Sequence, residues 1–110
     1  MDTMRGPRTL PDFKITVLRR MANWDLAERY CEPDGAVPCD RFEEGQEYLV
    51  EGMRLPDNFC SWAWNDLYPA MVALRQGGSF EGWSKDKDSI VRCCTDGIRP
   101  VVFEIKKMED

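Results

Sequence analysis

Histidine is absent from this sequence of 110 residues. That removes the Ser-His and Cys-His nucleophile pairs, and every zinc site that needs an imidazole. Only all-cysteine or cysteine–carboxylate ligation remains, and the five cysteines contain no C-x2-C pair, so zinc-ribbon and iron–sulfur spacings are missing too. No apolar run approaches the ~18 residues of a membrane span. Met1 to Pro11 carries charge and two prolines but no apolar segment of a secretory signal. Basic residues are scattered, with Arg19-Arg20 and Lys106-Lys107 as the densest pairs, and the net charge is -5. A nucleic-acid footprint needs clustered Lys and Arg, so neither a nucleic-acid nor a membrane partner is expected. There is no phosphate loop, dinucleotide fingerprint, internal repeat or low-complexity segment.

What is present fits a soluble globular chain. Hydrophobic residues make up 43% and charged residues 32%, and the length suits one domain with its own core. Five cysteines without a signal segment point to free thiols in a reducing compartment, and hence to the cytoplasm. The odd count forbids complete internal pairing.

Along the chain, residues 1–11 read as a flexible tail and 12–110 as a single domain. Phe13, Ile15 and Val17 alternate with polar neighbours, which predicts a half-buried strand. Asn23 suits the N-cap of a short helix from Trp24 to about Cys31, with Trp24, Ala27, Tyr30 and Cys31 on one apolar face. Glu47 to Glu51 predicts a second strand, with Tyr48 and Val50 on one side and Leu49 on the other. Asp57 or Asn58 can cap a long helix that runs to about Gln76, with Trp64, Leu67, Tyr68, Met71 and Leu74 as its stripe. Pro69 predicts a kink or a break in that helix, and Gly77-Gly78 a stop. Ser79 to Asp88 reads as a polar loop. Strands follow at Ser89 to Thr95 and Val101 to Lys107, joined by the turn signal Asp96-Gly97-Ile98-Arg99-Pro100. The order β-α-β-α-β-β predicts a small α+β domain with a mainly antiparallel four-stranded sheet and the long helix across one face. A partly closed barrel is the alternative.

Cys60 is the first candidate for chemistry. Near a helix start, backbone amides and the macrodipole favour a thiolate, which suits a nucleophile, redox thiol, metal ligand or acid/base group. A small buried apolar residue is the competing reading. Cys93 and Cys94 are neighbours on a strand and point to opposite faces, so at most one shares a face with Cys60. Asp96 and Arg99 flank the turn. Arg99 can anchor a carboxylate or phosphate, or simply ion-pair with Asp96. The tryptophans and Tyr68 read first as core, and second as walls of an aromatic pocket.

Four segments together resemble a known family of small cysteine-containing proteins of unsettled activity. They are Val37-Pro38-Cys39, Phe42-Glu43-Glu44-Gly45-Gln46, Phe59-Cys60-x-x-Ala63-Trp64 and Cys94-x-Asp96-Gly97-x-Arg99-Pro100-Val101. Lys14-Ile15-Thr16-Val17 and Val102-Phe103-Glu104-Ile105 are similar to the family's ends. The resemblance implies a choice among the cysteines. Cys39, Cys60 and Cys94 fall in family-like motifs, and they make one shared site with Asp96 and Arg99 credible.

The expectation is a small cytoplasmic enzyme acting on a small-molecule substrate without a large cofactor. The missing histidine base favours an isomerase, cyclase or lyase over a hydrolase. Cys60 would be the reactive group, Cys94 and Asp96 would assist proton transfer, and Arg99 would anchor an anionic group. Trp62, Trp64 and Tyr68 would wall the pocket, where the start of the long helix meets the end of the third strand. One alternative is a zinc- or iron-binding or thiol-redox protein, with Cys39, Cys60 and Cys94 as ligands and Asp96 or Cys93 as a fourth. The other is a non-catalytic binding or assembly module with an aromatic interface. A homo-oligomer is compatible with all three.

Overall fold

The computed structural model describes residues 11–35 and 37–108. The expected tail therefore lies outside the described residues, apart from Pro11. The elements are β1 (Phe13–Arg20), α1 (Trp24–Tyr30), β2 (Glu47–Val50), α2 (Ser61–Arg75), β3 (Ser89–Cys93) and β4 (Val101–Lys107). They build an α+β fold with a four-stranded sheet in the order β2-β1-β4-β3, antiparallel throughout. β2 and β3 are the two edges, so the sheet is open and the barrel alternative falls.

Alternation along the strands creates the core. Phe13, Ile15 and Val17 of β1, Val50 of β2, Ile90 of β3 and Val101, Phe103 and Ile105 of β4 are all buried on one face. Ile15, Ile105 and Ile90 sit opposite one another across three strands. α2 lies over β3 and β4 on this face and buries Ala63, Leu67, Ala70, Met71 and Leu74. Tyr68, expected in that stripe, is exposed instead.

α2 starts later than its turn signal suggests. Asp57 and Asn58 do not cap it. Pro56 to Phe59 form a turn, with the Phe59 amide bonded to the Pro56 carbonyl and Asn58 in the left-handed region at φ 62°. Cys60 is the N-cap residue and makes no side-chain capping bond. The helix also runs unbroken across Pro69. The amide missing there would have bonded the carbonyl of Asn65. Both residues are exposed, so water can satisfy that carbonyl and the loss stays small. The glycine stop is as expected. The Gly78 amide reaches the Ala73 carbonyl and the Gly77 amide the Leu74 carbonyl, with Gly77 at φ 95°, which is a Schellman ending.

Three further expectations change. Among the hydrophobic residues of α1 only Ala27 is buried, whereas Trp24 and Tyr30 are 60% and 69% exposed. Asn23 does not cap α1 through its side chain. It spends its amide on the Gly97 carbonyl at 2.7 Å, while its backbone N–H reaches Ile98. β3 stops at Cys93, so the connection to β4 is the loop Cys94–Pro100 rather than a tight hairpin turn.

β1 contains a bulge between Val17 and Arg19. Leu18 is the extra residue, so Arg19 pairs with Val102 on the outward face and Arg20 comes opposite Val101, in phase with the inward face. The Phe42–Gln46 segment docks there. The Gly45 amide bonds the Val17 carbonyl, the Val17 amide bonds the Gln46 carbonyl, and Glu44 accepts from the Arg20 amide at 2.9 Å.

Leu67 sits where α2 meets the sheet with no exposed surface. Leu67→Ala is expected to lower the unfolding free energy by about 3 kcal/mol. Val72→Ala, on the exposed face of the same helix, should change it by less than about 0.5 kcal/mol. Urea unfolding of the two variants checks this, and equal losses would mean that α2 packs in another phase.

Candidate functional site

The loops at one end of the sheet enclose a cavity of about 170 Å³. It is lined by Cys39, Arg41 and Phe42 from the segment before β2, by Cys60, Trp62 and Ala63 at the start of α2, and by Cys94, Asp96, Arg99 and Val101 around the β3–β4 loop. The start of the long helix and the end of the third strand do meet here. Phe42, Ala63 and Val101 are buried and form an apolar floor.

The cysteine-bearing loops are held by aromatic packing. Phe42 stands edge-on to Phe59 and to Phe103, each at 5.1 Å between ring centroids. Phe59 packs edge-on to Tyr48 at 4.9 Å. Phe59 immediately precedes Cys60 and Phe42 follows Cys39 by three residues, so both thiols hang from buried rings. The Val37–Pro38 peptide just before Cys39 is cis. Arg20 Nη1 donates to the Cys39 carbonyl at 3.1 Å, so the bulge in β1 also fixes this segment.

The β3–β4 loop is organised by Asp96. Its Oδ1 accepts from the amides of Ile98 at 2.9 Å and Arg99 at 3.0 Å, and its Oδ2 from Arg99 Nε at 3.0 Å. Burial pushes this carboxyl up. The amides of Arg99 and Ile98 and the Arg99 guanidinium outweigh it and hold Asp96 below the usual carboxylate value. The hydrogen bond to Asp96 raises Arg99 in turn; burial opposes the rise, and the nearby Cys39, Asp96 and Asp40 add to it. Cys94 closes the loop, with its amide on the Val101 carbonyl at 3.1 Å and its sulfur accepting from the Val101 amide at 3.3 Å.

Trp62 forms the rim. Its Nε1 donates to Thr95 Oγ1 at 2.9 Å, and the Thr95 hydroxyl and amide both donate to Asp66 Oδ2, at 3.2 and 2.8 Å. The first turns of α2 are thus clasped to the β3–β4 loop, although Trp62 stays 67% exposed.

The sequence-based candidates divide cleanly. Cys39, Cys60, Trp62, Cys94, Asp96 and Arg99 line one cavity. Trp64 and Tyr68 do not line it. Two residues along a helix is a turn of about 200°, so Trp64 points away from Trp62. It packs on Phe59 and on Tyr68 instead, with centroids at 6.3 and 5.6 Å. Trp24, Trp62 and Trp83 are exposed, so the reading of the tryptophans as core fits Trp64 alone. Cys93 is exposed on the outer face of the sheet and Cys31 follows α1, both away from this cavity. Among the described residues, no group of three or more Cys, Asp or Glu side chains is placed to hold a metal ion, so the three cavity cysteines do not form a ligand set. Sequence reasoning passed over Arg41, which sits between two residues it had singled out, and over Thr95, Asp66 and Arg20, which act only through long-range contacts. A larger groove of about 370 Å³ beside α1 is lined by Glu28, Cys31 and Glu32 and includes Val37 but none of Cys39, Cys60, Cys94, Asp96 and Arg99.

No family model, curated protein or solved structure matches the chain, so the family resemblance rests on its motifs alone. Among the described residues no helix is long and apolar enough to cross a membrane.

Two outcomes are expected. Because the folded carboxyl of Asp96 titrates below its ordinary 3.8, its contribution to stability is fully present above that value. It disappears as pH falls through the lower, folded value. Urea unfolding of the native protein and of Asp96→Asn should therefore differ by a constant amount at neutral pH and converge only in acid below 3.8. A gap that persists unchanged through that acid range would contradict the ion-pair geometry. Thr95→Val should cost at most about 1.5 kcal/mol and speed hydrogen exchange at one indole N–H of the four tryptophans, read by proton–nitrogen NMR.

Proposed function

We propose that the chain is a small enzyme of the cytoplasm that acts on a small organic molecule in this cavity, with Cys60 as its reactive group. The observation that carries the reading is convergence. Three motif cysteines, an arginine held by an aspartate and a clasped tryptophan come from distant parts of the chain to one partly apolar cavity. Pockets with an apolar lining and a few fixed polar groups are the usual form of small-molecule sites. Five free cysteines support a reducing compartment.

In this reading Cys60, the N-cap residue of α2, presents its thiol to the cavity at the helix start. Arg99 binds an acidic group of the substrate. Cys94 is a second thiol on the same lining. Asp96 is assigned to positioning rather than to proton transfer. A carboxylate already accepting three hydrogen bonds is a fixed anion and a weak base. With no histidine in the chain, proton transfer falls to thiols and substrate, which suits isomerase, cyclase or lyase chemistry.

Alkylation with iodoacetamide at neutral pH, followed by mass spectrometry of peptides, tests this. Cys60 is expected to react several-fold faster than Cys31 and Cys93, which are the more exposed thiols. If Cys31 and Cys93 react first and Cys60 stays unmodified, the thiol-centred reading fails and a non-catalytic binding module takes its place.

A further inference from the structure

The charges along the cavity do not balance. Arg41 and Arg99 supply two guanidinium groups, and Asp96 is the one carboxylate on the lining. Asp96 is committed to Arg99 Nε and to two loop amides. Asp40 acts on Arg99 from nearby but does not line the cavity. Arg41 has no ion-pair partner among the described residues. The net cationic wall belongs to a chain whose overall charge is -5, so it is a local feature and not a general surplus of basic residues.

Size and polarity narrow the occupant. A cavity of about 170 Å³ is close to the roughly 150 Å³ that accepts benzene. It is well below the roughly 300–1,000 Å³ of pockets for drug-sized ligands. Nucleotides and thioesters of large carriers are excluded as fully enclosed ligands. On the same lining Phe42, Ala63 and Val101 are buried and offer apolar surface, and the exposed Trp62 indole stands at the rim. A ligand here meets both cationic groups and hydrocarbon.

We infer that the cavity receives a small organic monoanion, a short-chain or aromatic monocarboxylate, with its acid group between Arg41 and Arg99 and its apolar body on Phe42 and Val101. This rests on the same cavity being the functional site and adds the substrate class, with Arg41 as a specificity residue beside Arg99. The guanidinium matches a planar carboxylate through paired N–H donors. Arg99 is pre-oriented by Asp96, while Arg41 supplies the charge that no side chain among the described residues neutralises.

The test compares acetate, butyrate and benzoate with their neutral amides, by NMR titration of the Trp62 indole and the amides of residues 94–99. At least one anion is expected to bind tighter than its amide. Arg41→Gln should erase about two- to fivefold of that preference. Arg54→Gln, outside the cavity, should leave it intact. Anions that bind no better than their amides, or a preference that survives Arg41→Gln, overturn the inference. Alkylation separates it from the thiol reading. Fast modification of Cys60 without any anion preference removes the monoanion and leaves the reactive thiol. An Arg41-dependent preference with an inert Cys60 does the reverse.

Discussion

The candidate site depends on three rings. Phe42, Phe59 and Phe103 meet edge-on or tilted, with centroids 5.1 to 5.6 Å apart. Phe103 belongs to the centre of the sheet. The other two come from loops that lack regular structure and have few backbone bonds of their own. Each edge-on pair is worth about 0.5–1.5 kcal/mol beyond the area it buries. The larger effect is geometric, since an irregular segment with a buried ring can shift only by opening a hole in the core. Cys39 and Cys60 are within three residues of such rings. Their separation is therefore set by packing in the core and not by the loops that carry them.

Electrostatics completes what packing begins. The β3–β4 loop has no apolar anchor between Cys94 and Val101, and Asp96 takes that role by gathering two amides and a guanidinium. Asn23 holds the loop from the other side through Gly97. Asp66 ties it to α2 through Thr95. Arg20 reaches the Cys39 segment because the bulge in β1 reverses the phase of the strand after Val17. These four polar side chains come from four parts of the chain and fix the cavity walls. They carry out the orienting work that a histidine-based site assigns to a triad. That division leaves the Cys39 and Cys60 thiols and Arg41 as the lining groups not already committed to holding the loops.

The legible part of the fold was periodic. Alternation in β1 and β4 placed Phe13, Ile15, Val17, Val101, Phe103 and Ile105 inward without any tertiary knowledge, and Gly77-Gly78 marked the end of α2. The site was legible through local motifs, since Cys39, Cys60, Cys94, Asp96 and Arg99 do share a cavity. What failed depended on phase or on partners. Trp62 and Trp64 look equivalent until the helix start is known, and that start was hidden because Asn58 prefers a left-handed turn to a cap. Pro69 suggests a break unless its lost bond is seen to face water. Asn23 carries a capping side chain, but a distant carbonyl competes for it. The Asn23 preference is overridden by a contact 74 residues away, that of Asn58 by a competing local turn, and that of Pro69 by the exposure of one helix face.

Trp62 shows how these levels join. Two-thirds of a tryptophan left in water is poor packing, and a folded chain gains nothing from it by burial. The indole is nevertheless fixed, because its one donor is held by Thr95 and Thr95 is held by Asp66. In the proposed binding mode this exposed face is what the ligand covers. The clasp keeps the ring at the rim, where an apolar body seated between Phe42 and Val101 can cover it. In that binding mode, the two arginines set which end of that body points inward, and the unburied ring adds apolar area to that of the cavity floor.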